Sequence, residues 1–343
     1  MKQLILLPVI LCLLYSCSGL RAISVQVERP SMITIPLEIK SMGILNRSIS
    51  APNSGLEATL TLETPLRDKE LSEECLRGLK ETLFKSQRFV VVRCDTNLFA
   101  ADDNSLEFGY ELPIAFLDSL CKAEKVDAIL SMEYFDTDFK VLNPGLTAVN
   151  AVGQILSGGS STVEVRGIAN AAAGFRVYHP LRDTIIYEDR FEFEKRWTVQ
   201  SNNAVDALGK LIQKNDALLQ VSYDNGVEFA ENIVPLKYWE WRSYFKGKGE
   251  MRIAEQQAFS GNWANAIVNW TSAYNMQTKK KKRGKAAFNV ALGYEMIGDF
   301  KTAQKWIQLA FLDYPKNEVN RYENIIEQRI LEQHKLYEQK LGN

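Results

Sequence analysis

Histidine is nearly absent: the 343-residue chain holds two, His179 and His334. Neither has a second ligand or base at a usable spacing, so a histidine metal centre or a Ser-His-Asp triad has nothing to be built from. Cysteine is scarce too, five in all, with no C-x-x-C pair, which argues against a zinc ribbon or a disulfide framework. Cys75 and Cys121 fall on apolar helix faces and read as small buried hydrophobes. One pair among Cys75, Cys94 and Cys121 remains open to oxidation outside the cytoplasm. Neither charge is in excess, 41 Lys+Arg against 42 Asp+Glu for a net of -1. That removes a globally basic nucleic-acid binder and leaves electrostatic recognition to a local patch.

Long apolar runs are missing with one exception, at the start. Met1-Lys2-Gln3 is followed by an uninterrupted apolar stretch, Leu4 to Leu14, and then by Tyr15-Ser16-Cys17. The stretch is too short to span a bilayer and has the form of a secretory signal. Its Leu14-Tyr15-Ser16-Cys17 ending resembles the bacterial lipobox, with Tyr15 departing from the usual small residue. The resemblance implies cleavage before Cys17, lipidation of that residue and a body held at a membrane. Ser18 in place of the aspartate that retains enteric lipoproteins at the inner membrane implies the periplasmic face of the outer membrane.

The carboxy-terminal third repeats itself. Ala254, Gly261, Trp263, Ala266, Trp270 and Ala273 recur 37 positions on as Ala291, Gly298, Phe300, Ala303, Ile307 and Ala310. Alanines suit close helix approach, Gly-Asn and Gly-Asp supply a turn, and Pro315 ends the second copy. The pattern resembles the tetratricopeptide repeat over residues 247–317, lengthened by three residues at its basic connector. Two such copies leave outer faces uncovered; Val319, Tyr322, Ile326 and Ile330 follow helical spacing, as a capping helix would. The aromatic segment from Phe229 to Tyr244 is expected to pack the first repeat against the amino-terminal domain. The resemblance implies binding of a protein or peptide, with Trp263, Trp270, Tyr274 and Tyr294 on or near the arm, Trp263 and Trp270 at positions that are usually core. Lys279, Lys280, Lys281, Lys282 and Arg283 form a basic run suited to a solvated loop, anionic head groups or an acidic partner.

Upstream, strand-like and helix-like segments alternate. Ile23, Val25 and Val27 alternate with polar residues, and Met42 to Leu45, Phe89 to Val92 and Ala128 to Tyr134 are further strands. Leu71, Cys75, Leu79 and Leu83 mark one amphipathic helix, and Ile114, Leu117 and Cys121 a second. Ala171 to Tyr178 and Thr184 to Phe193 flank a turn-forming His179-Pro180-Leu181-Arg182-Asp183 and read as an antiparallel hairpin. A single helix from about Asn203 to Leu219 is expected after it. The fold class is α+β: a mixed α/β sandwich domain at 23–235, after a signal at 1–16 and a lipidated linker at 17–22, then an all-α repeat domain at 236–343.

This order of segments, with Ser86-Gln87-Arg88-Phe89-Val90-Val91-Val92, Lys125-Val126-Asp127-Ala128-Ile129-Leu130 and Gly174-Phe175-Arg176-Val177-Tyr178, resembles the curli-secretion lipoprotein and the amino-terminal domain of the Tol-system periplasmic protein. With the repeats added, the chain resembles a Bacteroidetes envelope lipoprotein family. The resemblance implies a non-enzymatic scaffold or adaptor for an envelope protein or peptide, with no cofactor, metal or nucleic acid. Two other readings stand beside it. The charge-free stretch between Lys140 and Glu164 alternates apolar and polar residues, as a membrane-inserting hairpin of a homo-oligomeric export pore would. Asp136 and Asp138 share one face of a strand and are the carboxylates an envelope hydrolase would use. Gly158-Gly159-Ser160-Ser161 lacks the Gly-Lys-Ser ending of a phosphate loop.

Overall fold

A computed structural model describes residues 19–48, 65–94, 108–142 and 163–341. Cys17 and the stretch 143–162, on which the pore reading rests, lie outside them. Among the described residues there are seven strands and nine α-helices, so the class is α+β as expected. They form two compact units, Ser31–Pro235 and a second made of the residues up to Pro30 with Leu236 onward.

The first unit is built on a five-stranded sheet of order β3-β2-β4-β5-β6. Its strands are β2 (Ser41–Asn46), β3 (Val90–Arg93), β4 (Ala128–Leu142), β5 (Val163–His179) and β6 (Thr184–Ser201). β2 runs parallel to β3 and β4, while β4, β5 and β6 are antiparallel. The expected hairpin is present and far longer than its apolar core, because alternation continues along both strands with one edge in water. Asp136 and Asp138 sit within β4, which runs on past the Tyr134 end expected from the sequence.

Helices α1 (Pro65–Ser86) and α4 (Lys214–Ile233) pack together on the sheet. Gly78 and Gly226 allow the crossing: a Cβ on Gly226 would lie 1.9 Å from the Cys75 carbonyl oxygen, and one on Gly78 2.2 Å from that of Tyr223. Phe175 of β5 stacks on Phe229 of α4 at 3.9 Å. Helix α2 (Ile114–Glu124) forms a separate core with Leu45, Cys94, Ile129 and Tyr178. The single helix expected near 203–219 is two, α3 (Ala204–Lys210) and α4. The chain is extended at Leu211 and Gln213, which lets Leu211 turn into a small core with Val165 and Ala207. Cys75, Cys94 and Cys121 are buried and unbridged, and burial raises their thiol pKa values, to about 11 for Cys94 and Cys121.

The second unit begins with β1 (Leu20–Arg29), which pairs antiparallel with β7 (Leu236–Phe245) from Leu20–Phe245 to Arg29–Leu236. β1 thus departs from the expected 23–235 domain. Its buried Ile23, Val25 and Val27 share one core with the carboxy-terminal helices, and that burial fixes its unit. The helices are α5 (Glu250–Phe259), α6 (Trp263–Met276), α7 (Lys280–Met296), α8 (Phe300–Asp313) and α9 (Asn317–Leu341). Equivalent positions of the 37-residue period do equivalent things. Gly261 and Gly298 take positive φ of 76° and 81° at the turns. Asn262 and Asp299 accept from the backbone N–H three residues on and cap the next helix. Ala254 with Ala291, Ala266 with Ala303 and Trp270 with Ile307 are buried.

Candidate functional site

Helices of paired repeats normally offer a peptide groove on the face of the first helix of each pair. In this unit that face is occupied by the β1–β7 ribbon. Tyr244 of β7 donates to Glu255 of α5 at 2.5 Å. Phe245 meets Phe288 of α7 edge to face at 5.1 Å, and its backbone N–H and carbonyl both bond the Asn289 side chain. On α9, Arg329 donates to the Glu28 carbonyl of β1 at 2.6 Å. The chain fills its own groove with its own strands.

An ionic network seals the arrangement. The guanidinium of Arg242 on β7 makes three contacts with the carboxylate of Glu295 on α7, at 2.8 to 3.1 Å. Both side chains are buried, at 3% and 0% exposure. The hydroxyl of Tyr322 on α9 donates to the same carboxylate. Burial, then the neighbouring Glu295, raises the Tyr322 pKa well above the ordinary tyrosine value. Glu240 links Arg242 to Arg29 of β1, and Arg29 continues to Glu332 of α9. Burial opposes ionisation of Glu240 and Glu332, yet the arginine hydrogen bonds overcome it and both pKa values are lowered. β7 has in consequence an inverted face: Glu240 and Arg242 point to the core, while Trp239 and Trp241 are 71% and 72% exposed.

The expected partner-binding residues separate into different environments. Trp270 is fully buried and unavailable to a partner, because its ring fills the gap between the first pair and α7. Trp263 and Tyr294 are half-buried against the same core. Tyr274 meets Trp306 edge to face at 5.0 Å and lies under Arg283, which is ion-paired with Asp313 at 2.5 Å. Arg283 is thereby separated from the basic run. Lys279, Lys280, Lys281 and Lys282 are exposed, the last three in the first turn of α7. A cleft between Tyr244, Phe259 and Trp270 encloses about 150 Å³ including space open to solvent, below the range of ligand pockets.

In the sheet unit, Asp136 and Asp138 are exposed; Asp138 pairs with Lys140 at 2.5 Å, and Asp136 accepts the backbone N–H of Thr137. A buried cluster lies elsewhere: Arg47 donates to Glu133 at 2.7 Å, Tyr178 shares that carboxylate, and Arg176 spans Glu188 and the Gly109 carbonyl. Burial outweighs the arginines and raises the Glu133 pKa. His179, expected in a turn, is buried at the end of β5 with neither ring nitrogen hydrogen-bonded among the described residues; His334 is exposed beside Glu338. No metal-sized cluster of three His, Cys, Asp or Glu side chains occurs among the described residues, and no described helix is long and apolar enough to cross a membrane.

Comparison with known proteins divides the chain differently, because the first family match runs on through β7, which belongs to the helical unit. A family model described as a domain of unknown function, DUF8603, matches residues 39–245, more than half of the chain. The chain belongs to the DUF8603 family. The DUF8603 match ends with the last residue of β7, and a second domain of unknown function, DUF6340, matches residues 252–342. No curated protein matches. Among solved structures, a PelC dodecamer from Paraburkholderia phytofirmans, a single-substitution variant, aligns at 8% identity over 62% of this chain and 98% of its own, with a TM-score of 0.23. That score is too low to carry an argument.

Proposed function

We propose that this DUF8603 protein is a lipid-anchored, non-enzymatic scaffold of the cell envelope, held through Cys17 at the periplasmic face of the outer membrane, whose helical unit engages a protein partner. The observation that carries the reading is the position of β1. The strand starts at Leu20, and the Gly19 carbonyl already accepts the Lys246 backbone N–H at 3.0 Å. An acyl group on Cys17 would thus be joined to a folded body through three residues, at most about 11 Å of chain. A tether that short makes the helical unit a fixed platform at the membrane.

With the first helices covered by the ribbon, the platform presents its second helices. Val268 and Met276 of α6 and Leu312 of α8 are exposed, and Tyr274 of α6 meets Trp306 of α8 edge to face. The test pairs acyl labelling of the full-length protein and its Cys17→Ala variant with in-cell crosslinking of wild type and Met276→Glu/Leu312→Glu. The reading expects label only with Cys17 present, and a crosslinked protein that is lost in the double variant. Crosslinks solely between copies of this chain would replace the adaptor with a homo-oligomer.

A further inference from the structure

Part of the basic run lies beside the place where the amino terminus leaves the helical unit. Lys285 places its ammonium over the Phe245 ring at 4.6 Å, and a Cβ on Gly19 would lie 3.6 Å from its Nζ. Lys281 and Lys282 stand one turn earlier on α7, on the side of Lys285, and Lys281 is close enough to depress the Lys285 pKa, after burial. Lys246, which bonds Gly19, and Lys248 extend the same end from β7, and both are exposed. Of the nearby acids, Asp313 is ion-paired with Arg283, while Glu318, which accepts from the Tyr314 hydroxyl, keeps its charge and acts on Lys285, and Glu250 follows Lys248 in the first turn of α5. Lysines in the first turn of a helix oppose its macrodipole, so local helix stability does not explain the run.

We infer that this end of the helical unit, formed by Lys246, Lys248, Lys280, Lys281, Lys282 and Lys285 around Gly19, is a membrane-apposed face that binds anionic phospholipid head groups. The occupant follows from charge complementarity and from where the chain leads. Cys17 is two residues beyond Gly19, so an acylated Cys17 brings a lipid surface to this patch before any other partner. A basic patch beside an acyl chain is a known form of two-signal anchoring. The consequence is orientation: the ribbon's other end, where Lys340 pairs with Glu28, points away from the bilayer. The inference rests on the anchored reading only for the identity of the surface.

The experiment reconstitutes the full-length protein, as isolated from membranes, into nanodiscs of phosphatidylcholine alone or mixed with phosphatidylglycerol, and measures lysine acetylation by mass spectrometry. Expected is several-fold protection of Lys246, Lys248, Lys280, Lys281 and Lys282 in the anionic discs only, with Lys301 and Lys340 unchanged. K280Q/K281Q/K282Q, with an unaltered melting curve, should expose Lys246 and Lys248 again. Equal labelling in the two compositions overturns the inference, and so does protection that survives the triple variant. The same digest contains the peptide that begins at Cys17. If that peptide carries no acyl group, the anchored reading fails by itself, and the basic face is scored by sedimentation of the chain with the two vesicle compositions.

Discussion

Glu295→Ala is the perturbation that most directly tests the sealed construction of the helical unit. The wild-type carboxylate accepts from Arg242 and Tyr322 in a fully buried setting. Its removal leaves the Arg242 guanidinium with Glu240 as its carboxylate partner and strands the Tyr322 hydroxyl. Breaking a buried ion pair costs about 3–5 kcal/mol, and a stranded buried hydroxyl about 1–3 kcal/mol. The two losses share one site and do not add, so about 4 kcal/mol is expected, a large part of the roughly 5–15 kcal/mol that holds a domain. With a urea slope near 2 kcal/mol/M, the midpoint should fall by roughly 2 M. Tryptophan fluorescence is the probe, because five of the six tryptophans belong to this unit. The double variant R242M/E295M supplies the control. Replacing a buried pair by apolar side chains is commonly neutral or stabilising, so it should recover most of the loss. A shift under about 1 kcal/mol for the single variant, or a double variant as weak as the single one, would refute the argument that losing the Glu295 partner of the buried Arg242 guanidinium sets the penalty.

Other expectations follow from the same contacts. Trp270→Ala should cost about 3–5 kcal/mol by opening a core cavity, and an unchanged melting temperature would return Trp270 to the surface. Gly226→Ala forces a Cβ against the Cys75 carbonyl and should destabilise the sheet unit by about 1–3 kcal/mol, seen as a lower melting temperature for that unit, whose tryptophan is Trp197. Glu240 and Glu332 have lowered pKa values in the folded state. Their stabilisation is therefore complete above the unfolded value near ~4.3 and is lost as pH falls through the folded values. Stability of the helical unit should fall as pH drops below ~4.3, and Arg29→Met should flatten that limb of the stability curve. Tyr322 gives the opposite sign: with its folded pKa raised, stability should decline as pH climbs above ~10 and Tyr322→Phe should remove the decline, measured by urea midpoint against pH.

The local patterns were legible because local physics makes them. A 37-residue offset, Gly at a left-handed turn and Asn or Asp at the following cap describe the helix pairs, and the structure places Gly261, Gly298, Asn262 and Asp299 in those roles. The β5–β6 hairpin was legible for the same reason: its turn and its strands are adjacent. What local pattern leaves out is who pairs with whom. Leu20 opposite Phe245 joins strands that have the whole sheet unit between them in sequence, and nothing in either segment names the other. The break at Leu211 follows Gly209 in the last turn of α3, but Leu211-Ile212-Gln213 holds neither Gly nor Pro and a helix-period reading runs through it.

The inverted ribbon is the instructive failure. Alternation assigns one face of a strand to the core, and hydrophobicity alone would turn Trp239 and Trp241 inward. The structure turns Glu240 and Arg242 inward instead. That register is stable only because Glu295, Tyr322, Arg29 and Glu332 are waiting at the right depth. The polar face is buried because it is paired, as a buried charge must be. The same fact constrains how the unit is dissected. Cutting before Lys246 removes α5 to α9 and leaves Ile23, Val25, Val27, Glu240 and Arg242 facing water, so such a truncation disturbs the anchored strand as well as the repeats. Point variants on α6 and α8 leave β1 and β7 sealed, and are the cleaner way to separate anchoring from partner binding.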